Sequence, residues 1–127
     1  MAKVIGSVDN RGRPIIRVKV GGDDILTVID TGFNGDLMVT PEAARVMGIA
    51  VGGDETDIVL GDGTTTRVFE DRMLLDWLGQ RRWVRVLVSS TWRSGPDDPA
   101  GLLGTELLKP HLLLVDFGQR TVEIETQ

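Results

Sequence analysis

The residue of this sequence best suited to chemistry is Asp30, which ends an apolar run and is followed by Thr31 and Gly32. An ionisable residue at the end of a strand that is apolar on both faces, here residues 25–29, must either be neutralised or project into a functional cleft. The Thr31 hydroxyl can donate or accept a hydrogen bond close to the backbone, and Gly32 lets another backbone approach because it has no Cβ. These residues predict a rigid loop that presents a carboxylate.

The surrounding sequence strengthens this signal, which is weak alone because Asp-Thr-Gly also suits an Asx turn after a strand. Phe33-Asn34-Gly35 follows the tripeptide directly. Further along the chain, Leu60-Gly61-Asp62-Gly63-Thr64 predicts the Gly-bracketed tip of a hairpin. Leu102-Leu103-Gly104 stands near the C-terminus. It is the order of these landmarks that makes the pattern specific.

Composition excludes several other chemistries. The 127 residues include no Cys and a single His, His111, which excludes Cys nucleophiles, thiolate zinc sites and multi-histidine metal sites within one chain. His111 could be combined with Asp116 and a serine into a triad, but the sequence has no G-x-S-x-G elbow. We therefore expect no metal and no cofactor, and we interpret His111 as a loop residue after Pro110 and Asp116 as a turn residue.

The charge balance argues against nucleic acid and membrane partners. The formal net charge is −5 and the pI is about 4.8, and no segment concentrates Lys and Arg. The sequence has no apolar run near the length of a membrane span, and its first residues lack the apolar region of a signal peptide. We expect a cytoplasmic protein with no nucleic-acid or membrane partner.

The elements that must position these residues are mostly predicted strands. Val, Ile and Thr supply 34 residues against 5 Ala, and a chain of this length fits one domain over residues 1–127. A hydroxyl N-cap, Pro41 and Glu42 predict a helix from Thr40 to Gly48, and one helical turn is expected over 104–109. Alternation and turn residues predict strands over 3–9, 14–20, 25–29, 37–39, 57–60, 64–70, 73–78, 82–88, 112–115 and 121–125. The prediction is an all-β, barrel-like domain.

The tryptophans fall into two groups by context. Trp77 and Trp83 lie within predicted strands, so we interpret both as packing residues. Trp92 lies in the aperiodic loop over 89–99, where it could line a substrate pocket or a subunit contact.

Taken together, these landmarks resemble the retropepsin-type aspartic proteases, and residues 30–35 are most similar to the small bacterial relatives of the retroviral enzymes. Residues 60–64 match the position of the family's flap. Residues 102–108 resemble its paired hydrophobics and Gly, which pack behind the catalytic loop before a short helix. The resemblance implies a single-domain closed barrel of the acid-protease type, with one or two short helices, over residues 1–127.

The resemblance also implies an activity, namely hydrolysis of peptide bonds by two Asp that share a proton and activate a water. The sequence has one Asp-Thr-Gly, and its nearest second candidate, Asp116-Phe117-Gly118, has Phe where a hydroxyl is required. The second carboxylate is therefore expected from another copy of the chain. This predicts a homodimeric aspartic endopeptidase with Asp30 of each subunit at the two-fold axis.

Roles for the other site residues follow from the same resemblance. Thr31 would reach across the axis to the partner's loop, and Gly32 would allow the close approach. Asn34 and the hairpin tip Gly61, Asp62 and Gly63 would bind a peptide or protein substrate, the tip closing as a flap unless it is a static hairpin. Asp62 would bring a charge near the substrate backbone.

Three alternatives stay open at the level of the sequence. The same fold could serve as a catalytically inactive dimerisation or peptide-binding module. Residues 121–125 could form the dimer interface, as terminal strands often do in the family, or merely the edge of an intrachain hairpin. Where the retroviral enzymes have Gly-Arg, this sequence has Gly104-Thr105, and the Asp that pairs with that Arg is replaced in the segment Phe33-Asn34. Because both charges are missing, neither is left unpaired, but how the dimer is held stays open.

Overall fold

A computed structural model describes residues 2–49, 55–59 and 62–127 of the chain. Within these ranges, strands alternate with two short helices. The helices are α1 (Pro41–Val46) and α2 (Thr105–Leu108), and neither is long and apolar enough to cross a membrane. The strands are β1 (Lys3–Val8), β2 (Pro14–Val20), β3 (Asp23–Ile29), β4 (Leu37–Val39), β5 (Glu55–Val59), β6 (Thr65–Trp77), β7 (Gln80–Ser89), β8 (Gly101–Leu103), β9 (His111–Asp116) and β10 (Thr121–Thr126).

These strands form one sheet that closes on itself. Its order is β5-β6-β7-β4-β8-β3-β2-β1-β10-β9, and a further pairing of β6 with β2 joins six strands, β2, β3, β8, β4, β7 and β6, into a barrel. The all-β closed barrel with two short helices that the sequence predicted is confirmed. Strands β1, β10 and β9 extend the sheet beyond the barrel.

Strand β2 shows how alternation builds the barrel core. Ile16, Val18 and Val20 are buried, whereas Arg17 and Lys19 between them are exposed. Successive side chains of a strand point to opposite faces, so this alternation gives the strand one core face and one solvent face.

Strand β3 differs from its prediction. Ile25, Thr27 and Ile29 are buried, but Leu26 and Val28 on the other face are only half-buried, so the expectation of burial on both faces is wrong. On the half-buried face, Leu26 and Val28 line two different cavities. The hydroxyl of the fully buried Thr27 donates to the Ile16 carbonyl oxygen at 2.9 Å, which satisfies it within the core.

Helix α1 forms where the capping residues predict it. The Thr40 hydroxyl accepts a hydrogen bond from the Ala43 N–H at 3.2 Å, and Pro41 occupies the first turn. Ala43 and Ala44 are buried, and Gly48 follows the helix with φ of +77°. A residue at positive φ after a helix is favoured as Gly.

The middle of the chain is organised differently from the prediction. The sequence predicts separate strands over residues 64–70 and 73–78, in two hairpins, but β6 is continuous and pairs with β5 over residues 65–69 and with β7 over residues 68–77. Residues 70–72 are Glu-Asp-Arg and contain no Gly or Pro that would turn the chain. The predicted turn after β6 is present, with Leu78 and Gly79 both at positive φ.

The structure also corrects the predictions for Trp83 and His111. Trp83 is 60% exposed and does not pack into the core, unlike Trp77. His111 is the first residue of β9 rather than a loop residue, and its ring meets that of Trp77 edge-on at 6.5 Å between centroids. Within the described part of the chain, Trp77 Nε1 and His111 Nδ1 are buried without a hydrogen-bond partner.

The C-terminal strand is not an edge of the sheet. β10 pairs with β1 on one side and with β9 on the other. Residues 121–125 thus form the hairpin with β9 that the sequence predicts, but they do not lie at an edge of the sheet. Among the described strands the two edges are β5 and β9.

Candidate active site

Asp30 lies directly after β3 and is held by three hydrogen bonds. Its N–H donates to the Leu103 carbonyl oxygen at 3.0 Å, its Oδ1 accepts from the Gly32 N–H at 2.9 Å, and its carbonyl oxygen accepts from the Phe33 N–H at 3.2 Å. The residue is half-buried, and Oδ2 accepts no hydrogen bond from any described residue. One carboxylate oxygen is thus fixed while the other remains available for chemistry.

Strand β8 fixes both ends of the loop that carries Asp30. It runs parallel to β3, with Leu103 opposite Ile29, and antiparallel to β4, with Leu103 also opposite Leu37. Leu103 and Leu37 are fully buried. Because β8 lies between the strand that enters the loop and the strand that leaves it, the position of Asp30 is set by the barrel itself.

The residues after β8 brace the same loop from behind. Thr105 donates to the Phe33 carbonyl oxygen from its N–H at 2.8 Å and from its hydroxyl at 3.3 Å, and the Gly104 N–H donates to the Asp36 carbonyl oxygen at 2.9 Å. The Glu106 N–H donates to the Gly35 carbonyl oxygen at 3.2 Å. Thr105 holds the loop through neutral hydrogen bonds.

The tip of the loop is presented outward. Thr31, Gly32 and Asn34 are exposed, whereas Phe33 between them is buried. In the described part of the chain, the side chains of Thr31 and Asn34 have no hydrogen-bond partner. Phe33 therefore anchors the loop and leaves its neighbours free to contact another molecule.

Phe33 belongs to a second, smaller apolar cluster that sequence reasoning missed. The cluster comprises Phe33, Met38, Val68 and Leu87, with Ile58 packed against it. Ile58 and Val68 lie on β5 and β6, which form the hairpin below the predicted flap. The cluster ties the base of that hairpin to the loop of Asp30, and an aromatic residue directly after Asp-Thr-Gly was its only signal in the sequence.

The predicted flap tip lies between β5 and β6. Asp62 and Gly63 are exposed in the turn, and Gly63 has φ of +86°, while Gly61 lies outside the described residues. Asp62 Oδ1 accepts from the Thr64 hydroxyl at 2.6 Å and from the Thr64 N–H at 2.9 Å. These bonds, the hydroxyl first, lower the pKa of Asp62.

We expect the substitution Thr64→Val to raise the pKa of Asp62 toward its ordinary value of 3.8, because the largest cause of the lowering is removed. Because the pKa of Asp62 is lower in the folded chain than in the unfolded chain, its ionised form stabilises the fold at pH values above the unfolded-state pKa. This stabilisation is lost as the pH falls through the folded-state pKa. The variant should lose it at a higher pH than wild type. Side-chain NMR titration of Asp62 measures this, with Thr65→Val as the matched control; equal pKa values in wild type and Thr64→Val would contradict it.

A cavity of about 390 Å³ has Val28, the second residue before Asp30 in the chain, in its wall. Leu102 pairs with Val28, and Met38 pairs with Leu102. The cavity is lined by Arg13, Val28, Met38, Thr66, Ser89, Thr91, Trp92 and Leu102.

Two lining residues bear on the sequence predictions. Trp92, for which the sequence left a substrate pocket or a subunit contact open, lines this cavity. Arg13, which sequence reasoning missed, is held by Asp9 through an Nε–Oδ2 ion pair of 2.7 Å, and the Arg13 N–H helps to lower the pKa of Asp9. The spacing of four residues across a Gly-containing turn was the available signal.

A larger cavity of about 610 Å³ lies elsewhere. Its walls include Asp24, which lies near the start of β3 and so at the opposite end from Asp30, and Glu42 of α1. Asp97 and Asp98, in the loop between β7 and β8, also line it. It is therefore separate from the loop of Asp30. Among the described residues, no group of three acidic or imidazole side chains is arranged to hold a metal ion.

Comparison with known proteins relates this architecture to a class. No protein-family model and no curated protein matches the sequence. Among solved structures, a retropepsin-like aspartic protease from Rickettsia conorii matches with a TM-score of 0.72 at 19% identity, over 98% of this chain and 90% of that chain. The EIAV protease complexed with the inhibitor HBY-793 matches with a TM-score of 0.57 at 21% identity, over 80% of this chain and 89% of that chain.

The chain therefore has the retropepsin-like fold. The resemblance that the sequence motifs indicated is confirmed at this level. Both similar structures are proteases by description, but at these identities the likeness establishes architecture alone.

Proposed function

We propose that this chain is an aspartic endopeptidase that acts as a homodimer, with the carboxylates of two Asp30 residues sharing one proton. The observation that carries the proposal is the state of Asp30, which has one carboxylate oxygen fixed by the Gly32 N–H and the other free of hydrogen bonds from the described residues. Asp30 directly follows the strand whose Val28 lines an apolar cavity. No ion pair neutralises Asp30 among the described residues. A carboxylate that is held in place yet unpaired is suited to catalysis rather than to structural support.

Two other aspartates are already engaged. Asp36, in the same loop as Asp30, accepts from the Arg85 N–H through Oδ2 at 3.0 Å, and Asp116 Oδ1 accepts from the Gln119 N–H at 2.9 Å in the turn after β9. These commitments support a second copy of the chain as the source of the second carboxylate.

The mechanism follows from placing two such carboxylates together. At a separation of roughly 3 Å and an effective dielectric constant near 20, two negative charges repel by about 5 kcal/mol, so the pair retains one proton. The ionised carboxylate takes a proton from a water molecule as the water oxygen bonds to the scissile carbonyl carbon. The protonated carboxyl group polarises that carbonyl by donating a hydrogen bond to its oxygen. When the C–N bond breaks, the leaving nitrogen receives a proton from the pair. Activity should follow a bell-shaped pH profile with an acidic optimum.

The neighbouring residues supply positioning in this proposal. The Thr31 hydroxyl, unpaired within the described chain, bonds the loop of the second copy, and Gly32 lets the two loops approach. Asn34 lies exposed beside the loop and bonds the peptide backbone. The tip formed by Gly61, Asp62 and Gly63 covers the bound peptide. The cavity beside Val28 accepts an apolar side chain of the substrate.

The proposal is tested with wild type, Asp30→Asn and Asp116→Asn on a peptide library at about pH 5. Asparagine can still accept the Gly32 N–H bond, so the loop is retained while the acid is lost. We expect cleavage by wild type and by Asp116→Asn, and a rate at least about 10³-fold lower for Asp30→Asn. Equal cleavage by wild type and Asp30→Asn would refute the mechanism, and peptide binding without cleavage by wild type would favour a binding module instead.

A further inference from the structure

The loop of Asp30 carries a side-chain amide that can itself react. Asn34 is exposed, and its amide forms no hydrogen bond with any described residue. Gly35 follows it, and the Gly35 N–H also donates to no described residue. The amide carbon of an asparagine is an electrophile, and the main-chain nitrogen of the next residue is held close enough to attack it and close a five-membered ring.

The residue after Asn34 leaves this attack unhindered. A side chain on that residue would crowd the attacking nitrogen, and glycine has none. Packing requires glycine at this position, because a Cβ on Gly35 would lie 2.6 Å from the Phe33 ring. Phe33 in turn anchors the loop through its apolar cluster. The contact that fixes the loop therefore also keeps an unhindered nitrogen beside the Asn34 amide.

The other asparagine of the sequence, Asn10, has the opposite surroundings. Its Oδ1 accepts a hydrogen bond from the Arg120 guanidinium at 3.1 Å. The nitrogen that would attack its amide belongs to Arg11, which carries a side chain, and this nitrogen donates to Asp9 Oδ1 at 2.9 Å. Both hydrogen bonds must be lost before ring closure at Asn10, and both involve a charged group. Asn10 is therefore a reference site within the same chain.

We propose that Asn34 is a site of spontaneous deamidation in the folded chain, with water as the only co-reactant. The Gly35 nitrogen bonds to the Asn34 Cγ, the bond from Cγ to the amide nitrogen breaks, and ammonia leaves with the proton that the Gly35 nitrogen gives up. Water then adds to one of the two carbonyl carbons of the ring and the ring C–N bond breaks. The product is an aspartyl or an isoaspartyl residue at position 34.

Either product changes the loop that positions Asp30. Both add a carboxylate at position 34, and Thr105, which braces the loop from behind, offers it no positive charge. The isoaspartyl product also adds a methylene group to the main chain between Phe33 and Gly35. The carbonyl oxygens of these two residues accept from the Thr105 N–H at 2.8 Å and the Glu106 N–H at 3.2 Å. A longer main chain between two tethered carbonyl groups loosens this bracing.

The test incubates folded wild-type chain at neutral pH and body temperature and follows both asparagines by peptide mass spectrometry, after digestion at acidic pH where the amide is stable. The peptide that contains Asn34 should gain the mass of a hydroxyl in place of an amide at a rate at least about tenfold that of Asn10. Chain unfolded in denaturant is the positive control. Asn34→Gln is the matched variant, which should stay unchanged because its ring would have six members.

An endoproteinase that cleaves before aspartyl but not isoaspartyl residues identifies the two products, and both are expected. Conversion at Asn34 in the unfolded chain but not in the folded chain would overturn the proposal, since the loop would then block the attack. Equal rates at Asn10 and Asn34 would overturn it too, because the surroundings of the two amides would not matter. The measurement involves no cleavage of a substrate, so its result is independent of the proposed endopeptidase.

Discussion

Wild-type chain mixed with an excess of Asp30→Asn chain is expected to lose nearly all of its hydrolytic activity, although the wild-type chain remains present. If each site needs Asp30 from two copies, random reassortment leaves active dimers in proportion to the square of the wild-type fraction. With about one wild-type chain in ten, about one dimer in a hundred carries two Asp30 residues. Activity per wild-type chain should therefore fall about tenfold.

The measurement requires that subunits exchange. The chains are mixed at a concentration below the dimer dissociation constant, concentrated, and assayed on the same peptide, with native mass spectrometry to count heterodimers. Asp116→Asn chain in the same excess is the control and should leave the activity per Asp30 unchanged. If a single Asp30 suffices, the activity per wild-type chain should stay unchanged in the mixture. That result would contradict the shared site.

The parts of the fold that the sequence predicts well are those set by neighbouring residues. The N-cap of α1 depends on Thr40 and on Pro41 beside it, and both act within one turn. The exposure pattern of β2 follows from its own alternation. The turn at Asp30 likewise depends on Gly32, two residues away. Local structure of this kind can be predicted from the sequence because it does not depend on residues far away in the chain.

The parts that the sequence does not predict depend on distant pairing. β8 has only three residues, and it becomes a strand because β3 and β4 flank it, although β3 lies far earlier in the chain. No periodicity can be read from three residues. The continuity of β6 is similarly decided by its successive partners, β5, β7 and β2. Strand register between remote segments is set by packing in three dimensions.

The second face of β3 shows a different limit. Leu26 and Val28 are of the residue types found in cores, yet they are half-buried, and Val28 lines the cavity of about 390 Å³. An apolar cleft and an apolar core draw on the same residue types. Sequence alone therefore identifies the acid that could do chemistry, whereas the surface that would hold a substrate side chain emerges only when Val28, Met38 and Leu102 are brought together.

Replacing Gly104 by alanine is expected to lower the free energy of unfolding by about 2–3 kcal/mol, because this position has no space for a side chain. A Cβ there would lie 2.7 Å from the Phe33 carbonyl oxygen and closer still to that of Gly35. The φ of Gly104 is −100°, which any residue adopts, so the cost is steric. Both obstructing atoms belong to the backbone of the loop that carries Asp30, and Thr105 and Gly104 hold that loop by hydrogen bonds.

Denaturant unfolding of wild type, Gly104→Ala and Gly118→Ala at one chain concentration measures this effect, since a dimer's stability depends on concentration. Gly118 is exposed, and a Cβ there would meet only Asp116 Oδ1 at 3.4 Å, so Gly118→Ala should change stability by less than about 0.5 kcal/mol. An unchanged midpoint for Gly104→Ala would show that the loop yields to the added methyl group. The loop that positions Asp30 would then be movable, and the claim that β8 and the residues after it fix the carboxylate would be wrong.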